Sequence, residues 1–99
     1  MKLHDLLKEI KDEKLGKTQL EDYHTLACQL RADISLALGE KQKEEAIFLA
    51  QRDSNESVAS RKINWKATDS GQRLIELKSY AVAIKSAIEG LKSRIYSKL

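Results

Sequence analysis

The fold is decided by the stretch from Leu74 to Ile95, which reads LIELKSYAVAIKSAIEGLKSRI. Apolar residues recur there in alternating steps of three and four, which is the spacing of the a and d positions of a heptad repeat. A helix with such a stripe buries it by packing along a second helix. The sequence therefore predicts a long C-terminal helix with a seam of Leu74, Leu77, Ala81, Ile84, Ile88, Leu91 and Ile95.

The composition of the 99 residues also favours helices and bounds the class of protein. The chain is 41% hydrophobic and 33% charged, with no proline, five aromatic residues, two Val and three Thr. Its length predicts a single helical domain over residues 1–99. No run approaches the ~18 apolar residues of a membrane span, and the N-terminus lacks the features of a signal peptide. The single cysteine excludes an internal disulfide, so we expect a cytoplasmic protein without membrane contact.

Two further helices are predicted upstream of the seam. A short amphipathic helix is expected over 2–15, ended by Gly16 in the left-handed conformation. Thr18 and Glu21 have the spacing of a capping box, which predicts a second helix over 18–52 that runs through Gly39. Its apolar positions also recur in steps of three and four.

The third helix is predicted over 54–97, after a turn at 53–56 in which Asp53 and Glu56 form a second capping pattern. The heptad frame, extended backwards, reaches Ser70, Ala67 and Ile63, so we favour a continuous helix. The alternative is a break near Gly71, with Asp69 as N-cap and Gln72 three residues later. The predicted fold is all-α: an elongated, antiparallel, coiled-coil-like helical hairpin with a short N-terminal helix.

Charge is distributed unevenly between the two arms of this hairpin. Residues 1–56 carry a net charge of −3 and residues 57–99 a net charge of +6. Folding the chain about 53–54 sets Lys85 opposite Asp22 and Arg94 opposite Glu13, so the arms are expected to attract each other. The alternative is nucleic-acid binding, in which cations hold phosphates while a base stacks on an indole ring. The candidate residues for that contact are Arg61, Lys62, Trp65, Lys66 and Arg73.

The outward side of the third helix carries an unusual set of side chains. Small residues recur there beside apolar ones, where exposed helices usually carry Glu, Lys and Gln. Small residues let two helices approach closely, so we predict a second helix-packing surface and a homo-oligomer, most simply a two-fold dimer. The alternative is that small residues are tolerated on an exposed helix. The predicted self-association face comprises Ile75, Ser79, Val82, Ala83, Ser86, Gly90, Ser93 and Tyr96.

Motifs for catalysis, metals and cofactors are mostly missing. Glu21 and His24 have the spacing found in di-iron bundles, but such sites need two of these motifs and further glutamates. His24 and Cys28 lie four residues apart, which is too few ligands for zinc. Cys28 is expected to be a small buried residue near the seam. We therefore predict no enzyme activity, no cofactor and no metal site.

The second half of the chain resembles small helical proteins from the early gene regions of tailed bacteriophages and prophages. The resemblance covers about residues 40–99 and lies in SVASRK at 57–62, KAT at 66–68 and AIEGLKSRI at 87–95. The resemblance lies in the general character of the helix and not in a diagnostic motif, and it carries over no functional residues. It implies a phage-derived accessory protein of the bacterial cytoplasm, encoded among recombination and replication genes.

These observations lead to two hypotheses for the function. The first is a non-enzymatic helical interaction protein that self-associates and binds an unidentified protein partner. If the protein is phage-derived, this activity would serve host takeover, counter-defence or recombination. The second is a nucleic-acid-binding accessory protein that uses the basic C-terminal half.

Overall fold

The computed structural model describes residues 1–51 and 55–99, and this part of the chain forms four α-helices and no strand. They are α1 (Leu3–Glu9), α2 (Lys17–Ala50), α3 (Val58–Ala67) and α4 (Asp69–Ser97). The predicted all-α helical hairpin with a short N-terminal helix is confirmed. Residues 52–54 lie outside the described residues, and with them the predicted helix end at 52 and the Asp53 cap. The predicted helix start at 54 is wrong, because residues 55–57 are not helical and α3 begins at Val58 after the Ser57 cap.

Helix α1 is shorter than the predicted helix over 2–15, because it ends at Glu9 and Ile10 is its C-cap. Gly16 does not terminate it, since no glycine among the described residues has a positive φ. The Arg94 guanidinium instead donates hydrogen bonds to the backbone carbonyls of Ile10 and Asp12. A cation at this position also interacts favourably with the negative, C-terminal end of the helix dipole.

Helix α2 runs without interruption through Gly39, as predicted, but it begins at Lys17. The Gln19 side chain accepts a hydrogen bond from the Gly16 N–H at 3.0 Å, and the Leu20 N–H donates to the Gly16 carbonyl. A Gln three residues after the cap satisfies one of the free N–H groups at a helix start. The predicted capping box of Thr18 and Glu21 is therefore wrong, because Thr18 lies inside the helix.

The predicted continuous helix over 54–97 is also wrong, because Thr68 separates α3 from α4. Thr68 has an extended backbone, with φ −77° and ψ 158°. Its hydroxyl donates to the Trp65 carbonyl at 2.7 Å and accepts from the Gly71 N–H at 2.9 Å. Thr68 thus ends one helix and caps the next, one residue before the Asp69 cap of the alternative prediction. At the other end of α3, the Ser57 side chain accepts from the Ser60 N–H at 3.1 Å.

The chain forms two compact units, and the first comprises Met1–Ile34 and Tyr80–Leu99. Its core joins residues from α1, the first half of α2 and the second half of α4. The predicted seam is confirmed here, since Ile84 is fully buried and Leu91 is 1% exposed. The buried cluster consists of Leu6, Leu15, Leu20, Ala27, Ile34, Ile84, Ile88 and Leu91.

The second unit comprises Ser35–Ser79. Trp65 is buried there, and its ring centroid lies 5.4 Å from that of Phe48. Leu74 and Leu77 are buried as predicted. Ile63 is 68% exposed, so the extension of the heptad seam back to Ile63 is wrong. The break at Thr68 interrupts the heptad frame of α4, so this frame does not continue into α3. The buried residue of α3 is Trp65.

Candidate interaction surface

The outward side of α4 in the first unit leaves large apolar side chains in solvent. Val82 is 69% exposed and Tyr96 is 74% exposed. Ser86, Gly90 and Ser93 lie between them and are exposed as well, while Ala83 is half-buried. The other two members of the predicted self-association face, Ile75 and Ser79, belong to the second unit and are also exposed.

A groove between α1 and α4 overlaps this face, because Ala83, Ser86 and Gly90 belong to both. It has a volume of about 400 Å³, and Leu7, Ile10 and Lys11 form one wall. We call it the α1–α4 groove; its lining on α4 consists of Ala83, Ser86, Ala87, Gly90, Leu91 and Arg94. The apolar face of α1 was predicted from the sequence, but its position against the small residues of α4 was not.

Glycine at position 90 leaves the floor of the α1–α4 groove open. A Cβ atom on Gly90 would meet no atom of the chain within 4 Å. The close backbone approach that we predicted for Gly90 is therefore not made within the chain. The space above this residue is accessible to another molecule.

The charged groups around this surface are mostly cationic. Lys11 and Arg94 line the groove, and the exposed Lys85 and Lys92 follow another edge of α4. Glu89 is the one acidic residue in the sequence from Tyr80 to Leu99. On α4, the positive charges near this surface therefore outnumber the negative ones.

The predicted charge pairs between the arms are not formed. Arg94 binds backbone carbonyls instead of Glu13, and within 1–51 and 55–99 no ion pair joins Lys85 to Asp22. His24 shares a surface pocket with Lys92, which lies two helical turns beyond Lys85. The prediction counted residues along two uninterrupted helices, and the break at Thr68 invalidates that count.

In the predicted nucleic-acid contact, the aromatic residue is not accessible to a base. Trp65 is 5% exposed, so base stacking on its indole ring is not compatible with this packing. The Arg61 guanidinium lies 3.5 Å from the centre of the Phe48 ring, and its Nε donates to the Phe48 carbonyl at 2.9 Å. Arg73 forms an ion pair with Glu76 at 2.9 Å.

Lys62 and Lys66 are the members of the predicted nucleic-acid set that are exposed and make no such contact. Two lysines on one short helix are a weak electrostatic footprint for nucleic acid. Nucleic-acid binding therefore stays a prediction that rests on these two side chains.

Cys28 is exposed, so its predicted burial near the seam is wrong. Its Sγ lies 4.0 Å from both ring nitrogens of the half-buried His24. Among the described residues, no group of three or more His, Cys, Asp or Glu side chains is placed to hold a metal ion.

No known protein family, curated protein or solved structure matches this chain. Within the described part of the chain, each helix is too short or too polar to cross a membrane. The fold and the surface define an all-α protein with an exposed apolar helix face and an adjoining cationic groove.

Proposed function

We propose that this chain is a non-enzymatic helical interaction protein that self-associates and binds a protein partner. The observation that supports this most directly is the exposure of Val82 and Tyr96 on one side of α4. The residues between them are small, so a second helix can approach this side closely. Large apolar side chains left in solvent beside small residues are a surface that a second helix can cover, and exposed apolar surface often marks a protein–protein interface.

Self-association through this face most simply produces a two-fold dimer. Packing α4 antiparallel to its own copy forms a closed, self-complementary interface, which is the commonest symmetry of small oligomers. Lys85 and Lys92 flank the face, so the dimer brings like charges together. We therefore expect self-association to strengthen as salt is raised from about 50 to about 200 mM, because screening weakens this repulsion.

Light scattering coupled to size exclusion tests the dimer. We expect a mass above the 11.2 kDa of one chain for the wild type, and a monomer for the Ala83→Glu/Gly90→Glu double variant. The matched control is Gly39→Glu/Ala46→Glu, which makes the same substitutions on α2 where a Cβ at Gly39 meets nothing within 4 Å. A monomeric wild type across micromolar concentrations would contradict self-association.

Within this proposal, the phage resemblance supplies the setting. A phage-derived interaction protein would act in the bacterial cytoplasm, in host takeover, counter-defence or recombination. A pull-down from bacterial lysate with the wild type and the Ala83→Glu/Gly90→Glu variant tests this. A host or phage protein retained by the wild type and lost from the variant is the expected result.

A further inference from the structure

We infer that the α1–α4 groove binds an acidic amphipathic helix of a partner protein. This inference rests on the proposed function, since it names the chemistry of the partner that the interaction protein binds. Three properties of the groove support this inference: its length along α4, the small side chains on its floor and the sign of its charged groups.

The length and floor of the groove fit a helix. From Ala83 to Arg94 the groove follows α4 for roughly 16 Å, or about three turns. Ala83, Ser86 and Gly90 form its floor, and small residues in steps of three and four let the backbone of a second helix approach closely. Leu7 and Ile10 on the opposite wall are apolar and half-buried, so they offer contact to an apolar stripe. Docking an amphipathic helix by such a stripe is a recurrent mode of peptide recognition.

The charges of the groove select an acidic helix. Its ionisable lining groups, Lys11 and Arg94, are both cationic. Two of the N–H groups of Arg94 are used on the carbonyls of Ile10 and Asp12, and a guanidinium has five, so further donors remain. Carboxylates flanking an apolar stripe would lie close to these cations. The α4 helix of a second copy is a poorer occupant, because it would bring Lys85 and Lys92 toward the same cations.

A designed peptide pair provides the probe. One fluorescein-labelled peptide of about 18 residues carries Leu at heptad positions a and d and Glu at e and g, and its match carries Lys at e and g. Fluorescence anisotropy with the full chain is expected to show micromolar binding of the Glu peptide and binding at least about tenfold weaker for the Lys peptide. Affinity for the Glu peptide should fall between about 50 and about 200 mM salt, opposite to the trend expected for self-association.

Two variants locate the contact. Lys11→Glu reverses the charge of one cation in the groove and should weaken binding of the Glu peptide by about threefold or more. Lys43→Glu, at an exposed position on α2 in the second unit, should leave this binding unchanged. Gly90→Leu fills the floor and should weaken binding at least about tenfold. Circular dichroism of each variant separates loss of binding from loss of fold.

The inference is overturned if the Glu peptide does not bind, if both peptides bind equally, or if folded Lys11→Glu and Gly90→Leu variants bind as the wild type does. Light scattering on the same samples keeps the two proposals apart. Ala83, Ser86 and Gly90 belong to both surfaces, so the peptide and a second copy compete for them, and the titration is read on chain diluted until light scattering gives a monomer. A diluted monomer that does not bind the Glu peptide contradicts this inference alone, whereas a wild type that is monomeric at every micromolar concentration and binds the peptide contradicts self-association alone.

Discussion

A Cβ atom placed on Gly71 would lie 1.9 Å from the carbonyl oxygen of Trp65. It would also lie 2.7 Å from the carbonyl carbon of the same residue, so the obstacle is backbone and has little freedom to move. Gly71 has no positive φ, and its role is therefore to let the first turn of α4 pass against the end of α3. The break at Thr68 depends on this close approach.

Gly71→Ala should destabilise the protein by about 1–3 kcal/mol, because the added methyl group forces the two helix ends apart. The control is Gly39→Ala, where a Cβ has open space and the loss of a helical glycine should stabilise by up to about 1 kcal/mol. Urea denaturation followed by the fluorescence of Trp65, the only tryptophan, measures both changes. Equal stability of the two variants would contradict the role assigned to Gly71.

Arg94→Met should weaken the attachment of α1 and cost about 1–3 kcal/mol, because the carbonyls of Ile10 and Asp12 lose charged donors. Methionine keeps part of the aliphatic stem, so the loss reports on the guanidinium. Hydrogen exchange should accelerate most in the amides of Leu3–Ile10. The exposed Arg31 provides the matched Arg→Met control, for which no such change is expected.

Ile84→Asp should unfold the first unit or destabilise it by about 3 kcal/mol or more, because it places a carboxylate in a fully buried position. Ile88→Asp should act in the same way, since Ile88 is 3% exposed. Ala32→Asp, on α2 in the same unit, is the control, because Ala32 is exposed and lies outside the self-association face. Circular dichroism that shows the same melting for all three variants would contradict the burial of the seam.

The carboxyl group of Glu44 should titrate below its ordinary pKa of 4.5, because hydrogen bonding by Ser70 and then by Lys41 favours the charged form. The Lys41 Nζ lies 3.2 Å from both oxygens of this carboxylate. A pKa that is lower in the folded state stabilises the protein at pH values above the unfolded-state pKa. This stabilisation is lost as the pH falls through the folded-state pKa.

Titration of Glu44 by NMR should therefore give a higher pKa in both Ser70→Ala and Lys41→Met than in the wild type, because each substitution removes a group that favours the charged form. A pKa that is unchanged by Ser70→Ala would show that the hydroxyl does not hold this carboxylate.

The sequence predicted those parts of the fold that depend on local periodicity. The steps of three and four identified Ile84, Ile88 and Leu91 as core residues because one face of a helix has that repeat. The continuity of α2 through Gly39 followed from the strong helix formers around it.

Features that depend on distant parts of the chain were not predicted. The end of α1 is bound by Arg94, which lies 84 residues from Ile10 in the sequence. The burial of Trp65 depends on Phe48 in another helix. The sequence shows the floor of the groove as a row of small residues on one helix. It does not show that α1 forms the opposite wall, because that contact joins distant parts of the chain.

The first unit is assembled from the two ends of the described chain, and this determines the order in which the protein can fold during synthesis. Leu20, Ala27 and Ile34 leave the ribosome early, but they share a core with Ile84, Ile88 and Leu91, which are translated much later. Residues Ser35–Ser79, in contrast, form a continuous unit whose segments emerge together. We therefore expect the internal unit to form first, while the apolar face of the N-terminal segment stays exposed to water until α4 has been translated.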